Sequence, residues 1–246
     1  MRNWASAIAG ALGGALLAVI VIFAAARQGW LPGAGGPVNI RGYLLSHPEI
    51  LSEMTDRLQM QQEAQDKAKA AAAMKKIGMA AFFDDRVAFI TGPADAKKSV
   101  VEFYDYNCPY CRLSLPAVEK FYQKHKTDTR FSFIEFPIKG PDSIVAARVA
   151  LAARLQPEKY LALHFALMNE TDPVNEAMIY TDAQKVGLDM AKLKIDMQNP
   201  GIDAAIAASK ALATRAGIDG TPTFIVNGVM HPGAVDDDTL KSLSEG

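Results

Sequence analysis

The residue pattern predicts an α/β fold, preceded by a membrane-length apolar run and a long N-terminal helix. Three observations predict it. Strand-like runs at Val87–Thr91 and Ser99–Tyr104, rich in Val, Phe and Ile, precede a helical stretch, and Arg130–Phe136 then alternates polar and apolar residues as a strand with one buried face does. A helical block with Ala-rich faces fills about 143–216. A last strand, Thr223–Val226, then runs into Asn227-Gly228, the strongest short hairpin signal there is.

The elements follow in order. Arg2 and Arg27 bracket an uncharged, mostly apolar stretch from Trp4 to Ala26, long enough to cross a bilayer core of about 30 Å as a helix. This predicts a transmembrane signal anchor over 1–28. A cleaved signal peptide is the alternative, since Ala24-Ala25-Ala26 offers small residues for cleavage. Either way the rest of the chain is expected outside the cytoplasm, in contact with the inner membrane through residues 4–26 or released from it. Gly29–Pro37 reads as a linker over 29–37.

A helical segment is expected over 38–78. Ser46-His47-Pro48-Glu49 fits a capping box with Pro48 in the first turn, and a long polar helix follows. Apolar residues at Ile40, Leu44, Leu51, Met54 and Leu58 trace a near-heptad seam that fades at Gln61 and Gln65. A solvated helix with one greasy stripe is not stable alone. Its partner is expected to be the same segment of another copy, through residues 38–76, or the domain that follows. That domain, 79–246, carries the strands, a helix from Pro109 to about Lys126, the helical block with breaks near Pro157, Pro173 and Pro200, and a closing helix over Asp236–Leu243.

Composition narrows the function. The net charge is −1, so no basic surplus points to a nucleic-acid partner. The two cysteines, Cys108 and Cys111, are three apart, and so short a ring adds little loop-closure stability. They serve chemistry or a metal. A structural zinc site wants four ligands, and His47, His125, His164 and His231 are scattered, so no metal site is assigned. Two thiolates alone suit Cu(I), which keeps a membrane-tethered copper-binding or copper-tolerance protein as the alternative function.

The favoured chemistry is thiol–disulfide exchange. A strand runs into Cys108-Pro109-Tyr110-Cys111, and Pro109 suits the first helical position. Cys108 then becomes the N-cap, where free N–H groups and the helix dipole favour a thiolate. Cys108 is expected to be the exposed nucleophile and Cys111 the resolving thiol. No cofactor is needed beyond a redox-active disulfide between the two. Tyr110, between the cysteines, tunes the local field; Asp105 and Tyr106 read as structural.

The stretch Glu102–Cys111 resembles the active-site segment of the DsbA-like branch of the thioredoxin superfamily. Pro116 resembles that superfamily's helix proline, and Gly220-Thr221-Pro222-Thr223-Phe224 its cis-proline loop. The resemblance implies a thioredoxin fold with an inserted helical domain. It also implies that Thr221 and Pro222 present backbone to an extended substrate segment, and that Glu102 is an acid beneath the thiols, with an outward-facing strand residue the alternative. Implied partners are cysteine-containing exported proteins and a membrane redox partner. Ile40–Leu51 is similar to the leader of longer members of the suppressor-of-copper-sensitivity type, which implies a possible homo-oligomer, dimer or trimer, and a choice between oxidase and isomerase.

Overall fold

The computed structural model describes residues 20–24 and 39–245. The expected anchor over 1–28 and linker over 29–37 lie outside the described residues, apart from residues 20–24, which are helical. Among the described residues no helix is long and apolar enough to cross a membrane.

The chain divides into two compact units, residues 1–63 and 64–246. The first carries helix α1 (Ile40–Ser46) and about half of helix α2 (Glu49–Ile77), within which the division falls. The expected capping box does not form. Ser46 ends α1, and its hydroxyl donates to the carbonyls of Gly42 and Tyr43 instead of capping α2. The helix signal Asn39 won that role: its side chain accepts from the Gly42 N–H at 2.9 Å and starts a separate helix upstream. All five seam residues are solvent-exposed in the single chain, Leu51 at 72% and Leu58 at 66%. Within α2 only Met74, in the second unit, is buried.

The second unit is built on a five-stranded sheet. Strand β1 (Ala88–Thr91) follows a short 3-10 turn. Then come β2 (Lys98–Tyr104), helix α3 (Pro109–His125) and β3 (Thr129–Glu135). A run of five helices follows: α4 (Pro141–Ala153), α5 (Pro157–Met168), α6 (Glu176–Lys185), α7 (Met190–Asp196) and α8 (Gly201–Ala216). Strands β4 (Thr223–Val226) and β5 (Val229–Pro232) and helix α9 (Asp237–Glu245) close the chain. The spatial order is β1-β3-β2-β4-β5, with β2 and β3 parallel and the other pairs antiparallel. This is a thioredoxin-like α/β arrangement, with α4–α8 inserted between β3 and β4. The expected block of about 143–216 contains one further break, at Gly187, whose φ of 79° stops α6.

The central strands β2, β3 and β4 are buried on both faces. Alternate residues feed two apolar clusters: Val100, Tyr104, Phe133 and Phe224 on the face with α3, and Val101, Phe103, Ile134 and Ile225 on the face with α8. The alternation along Arg130–Phe136 predicted a strand with one solvated face. Instead β3 is buried along nearly its whole length, because β1 and β2 flank it and helices cover both sides. The hairpin signal is realised, with φ of 50° at Asn227 and 85° at Gly228, as a two-residue primed turn needs. Gly92 marks a tight approach, since a Cβ there would sit 2.1 Å from the Thr129 carbonyl oxygen.

Candidate active site

Strand parity positions the site. Glu102 shares its face with Val100 and Tyr104, so its side chain points beneath α3, where Cys111 lies. It is 4% exposed, buried on that face. The chain leaves β2 through a turn closed by the Cys108 N–H donating to the Asp105 carbonyl at 3.0 Å. Asp105 anchors this turn. One carboxylate oxygen accepts from the Asn107 N–H at 2.8 Å and the Ser143 hydroxyl at 2.7 Å. The other accepts from the N–H groups of Ile138 and Lys139 at 2.7 and 2.8 Å. Cys108 is then the extended N-cap of α3, with Pro109 in its first turn.

The two thiols differ sharply. The Cys108 thiol is pulled down to about 5. The donors around it lower it, first the Cys111 thiol, then the Thr221 hydroxyl and the backbone N–H groups of Cys111 and Tyr110, and together these outweigh burial. Cys111 is pushed far up by burial first, then by its hydrogen bond to Cys108 and by the Glu102 charge. Glu102 rises to about 8 through burial and the nearby Cys108 charge, and one of its carboxyl oxygens is buried with no hydrogen-bond partner.

The loop before β4 closes the site. The Thr221–Pro222 peptide is cis, and the Cys108 thiol donates to the Thr221 carbonyl at 3.0 Å. The structure therefore brings together Glu102, Cys108, Pro109, Cys111, Thr221 and Pro222. Tyr110 stands outward, 60% exposed. One expectation is corrected: Cys108 is not exposed. It is 0% accessible, because the N-cap geometry tucks its sulfur under the Thr221 carbonyl. Among the described residues no group of three or more His, Cys, Asp or Glu is placed to hold a metal ion.

Residues 99–244 match the family described as the DSBA-like thioredoxin domain. The chain belongs to the DsbA-like thioredoxin family. Residues 40–65 also match the copper resistance protein ScsC N-terminal domain. Among solved structures, a thioredoxin-like oxidoreductase from Silicibacter pomeroyi is 40% identical, covering 68% of this chain and 96% of that one, with a TM-score of 0.63. Salmonella enterica Typhimurium BcfH is 28% identical, covering 84% and 91%, with a TM-score of 0.71. Proteus mirabilis ScsC, in a transitional conformation, is 30% identical, covering 84% and 92%, with a TM-score of 0.64. The curated relatives are longer. The Na(+)/H(+) antiporter NhaA 3 of Salinispora tropica is 29% identical over 155 residues, 62% of this chain, which spans about a quarter (24%) of that protein's length.

DsbA-like thioredoxin-fold proteins are thiol–disulfide oxidoreductases that act on cysteine-containing substrates. This member also holds a second buried polar cluster, which no sequence motif announces. Glu135, opposite Tyr104 in the β2–β3 register, is buried and accepts from the Tyr104 hydroxyl and, at 3.3 Å, from that of Tyr106. Tyr104 also bonds Tyr160 of α5 at 2.7 Å, and Tyr106 reaches His164 at 3.3 Å. Burial raises Glu135 to about 8 and lowers His164 to about 3. The parity that places Glu102 inward from β2 also places Glu135 inward from β3, and that was the signal available.

Proposed function

We propose that this protein is an exported, membrane-anchored thiol–disulfide oxidoreductase acting on cysteine-containing proteins through Cys108 and Cys111. The observation that carries this is the contrast between the thiols, one favoured as a thiolate at a helix N-cap and the other buried as a neutral thiol behind it. In the reducing direction the Cys108 thiolate attacks a substrate disulfide, forming a mixed disulfide and releasing one substrate thiolate. Cys111, giving its proton to Glu102, then attacks the Cys108 sulfur, forms the Cys108–Cys111 disulfide and releases the second substrate thiolate. Oxidation of a substrate dithiol is the same sequence reversed. The edge of the Thr221–Pro222 loop offers backbone to an extended substrate segment.

Thiolate stabilisation at Cys108 favours the reduced form, which supports an oxidising disulfide. The exposed seam of Ile40, Leu44, Leu51, Met54 and Leu58 supports self-association through residues 38–76, the arrangement an isomerase uses to grip a substrate while reshuffling it. The apolar run over 4–26 supports an inner-membrane anchor facing the periplasm, with a membrane redox partner to reset the dithiol.

The test is the equilibrium redox potential of the full chain in detergent against glutathione, with its mass in the same preparation. A reversible Cys108–Cys111 disulfide supports the reading. An oligomer that becomes monomeric on replacing Leu51 and Leu58 with Gln makes it an isomerase, and a monomer makes it an oxidase. No reversible disulfide, with one Cu(I) retained per dithiol, replaces it with copper binding.

A further inference from the structure

The two residues that flank the dithiol reach the same short segment. Asn107, immediately before Cys108, exchanges two hydrogen bonds with Val174: the Val174 N–H donates to Asn107 Oδ1 at 2.7 Å, and Asn107 Nδ2 donates to the Val174 carbonyl at 3.2 Å. The amide side chain thus pairs with that residue as a strand neighbour does. Arg112, immediately after Cys111, sends Nη1 to the carbonyls of Glu170 at 3.3 Å and Asp172 at 2.6 Å. Glu170–Val174 lies in the connection between α5 and α6. Val174 is fully buried, while Thr171, Asp172 and Pro173 are exposed. Among the described residues, the hydrogen bonds to the backbone of this segment come from Asn107 and Arg112.

Access is the problem this arrangement addresses. Cys108 is 0% accessible, yet its sulfur must meet a substrate sulfur in line with the bond that breaks. On one side it is covered by the Thr221–Pro222 loop. That loop is tied into the sheet, where Thr223 pairs with Phe103 and the Gly233 N–H donates to the Pro222 carbonyl at 2.9 Å. The connection between α5 and α6 has no sheet partner and is held to the motif by four side-chain hydrogen bonds.

We propose that Asn107 and Arg112 are positioning residues that fasten Glu170–Val174 beside the dithiol, and that this fastening decides which disulfides reach Cys108. It favours an extended polypeptide segment, which can displace the strap while pairing with Thr221, over small disulfides that cannot. The proposal rests on the assignment of Cys108 as the nucleophile.

The experiment uses the reduced full chain in detergent and follows alkylation of Cys108 by iodoacetamide across pH, in Asn107→Ala, Asn107→Asp and Arg112→Ala. Kinetics with glutathione disulfide and with a disulfide-bonded peptide accompany it. Asn107→Ala is expected to raise the plateau alkylation rate at least about threefold, and to shift the ratio of kcat/KM for glutathione disulfide over peptide upward by about tenfold, the scale of a misplaced reactive geometry. The pH inflection of Cys108 stays in place. Arg112→Ala gives the same sign, and Asn107→Asp, which keeps the acceptor for the Val174 N–H, gives a smaller effect. Unchanged rates in both alanine variants overturn the proposal. A moved inflection also overturns it, since the residues would then act on the thiol and not on access. Far-UV circular dichroism guards against misfolding, and Arg112→Ala, at a half-exposed position, carries the test if Asn107→Ala does not fold. Alkylation needs no redox turnover, so a protein that fails to form a reversible disulfide still answers this question separately.

Discussion

The sulfur of Cys108 lies 3.0 Å from the carbonyl oxygen of Thr221, close enough for the thiol to donate its proton there. A thiolate has no proton to give, and the carbonyl oxygen then repels it. The same residue supplies the remedy, because its buried hydroxyl has no partner in the thiol form and stabilises the thiolate. Thr221→Val should raise the Cys108 pKa from about 5 by roughly one to two units, the worth of one hydrogen bond to a charge. The ultraviolet absorbance of the thiolate, followed against pH, measures it.

Reduced and oxidised protein should differ in stability in a pH-dependent way. The folded pKa of Cys108 is depressed from 9.0 to about 5. The contribution is therefore fully present above the unfolded value and is lost as pH falls through about 5. At most it is on the order of 5 kcal/mol. The oxidised protein has no such thiol. The difference in denaturant midpoint between reduced and oxidised forms should grow in favour of the reduced form from pH 4 to pH 9. A flat difference would count against the stabilised thiolate.

Glu102 has the opposite sign. Its folded pKa is raised from 4.5 to about 8, so folding loses stability as pH rises across that window. Glu102→Gln should leave stability unchanged near pH 4 and raise it by a few kcal/mol at pH 8, where the wild-type carboxylate is buried without a full set of partners. The same substitution should slow release of a mixed disulfide by Cys111, because the acceptor of its proton is gone. Stopped-flow decay of the mixed disulfide separates the two effects.

Asp105 draws four hydrogen bonds into one buried carboxylate, two from the turn before Cys108 and the helix α4, and two from the Ile138–Lys139 backbone. Asp105→Ala leaves those donors stranded. It should cost about 2–5 kcal/mol of unfolding free energy. Asp105→Asn should recover little, since its NH2 group faces N–H donors. Urea denaturation of the oxidised protein checks both.

Much of the site was legible because it is local. Pro109 after a strand places Cys108 at an N-cap from sequence alone, and Asn227-Gly228 dictates its own turn. What was not legible depends on long separations. The burial of Cys108 follows from the Thr221 carbonyl, more than a hundred residues away, and the hold on Val174 from an unremarkable Asn107. Ser46 shows the converse failure. Its motif was right, but Asn39 had already started a separate helix, so the hydroxyl faced backward. Glu135 hid in plain sight, because an acid in a strand reads as solvent-facing until the neighbours on both sides are known.

The buried phenols have a practical consequence. The only tryptophans, Trp4 and Trp30, precede the first strand by more than fifty residues, so the domain that bears the dithiol emits through tyrosine alone. Three of its tyrosines, Tyr104, Tyr106 and Tyr160, sit in one chain of hydroxyls ending on Glu135. A phenol bonded to a carboxylate transfers its proton on excitation and emits weakly. Tyr104 and Tyr106 are therefore expected to be dim once Glu135 is ionised, above about pH 8, and Tyr160, joined to them through the Tyr104 hydroxyl, to brighten when α5 parts from the sheet. The fold contains its own optical gauge of whether the helical insertion is seated, readable without a dye or an engineered residue.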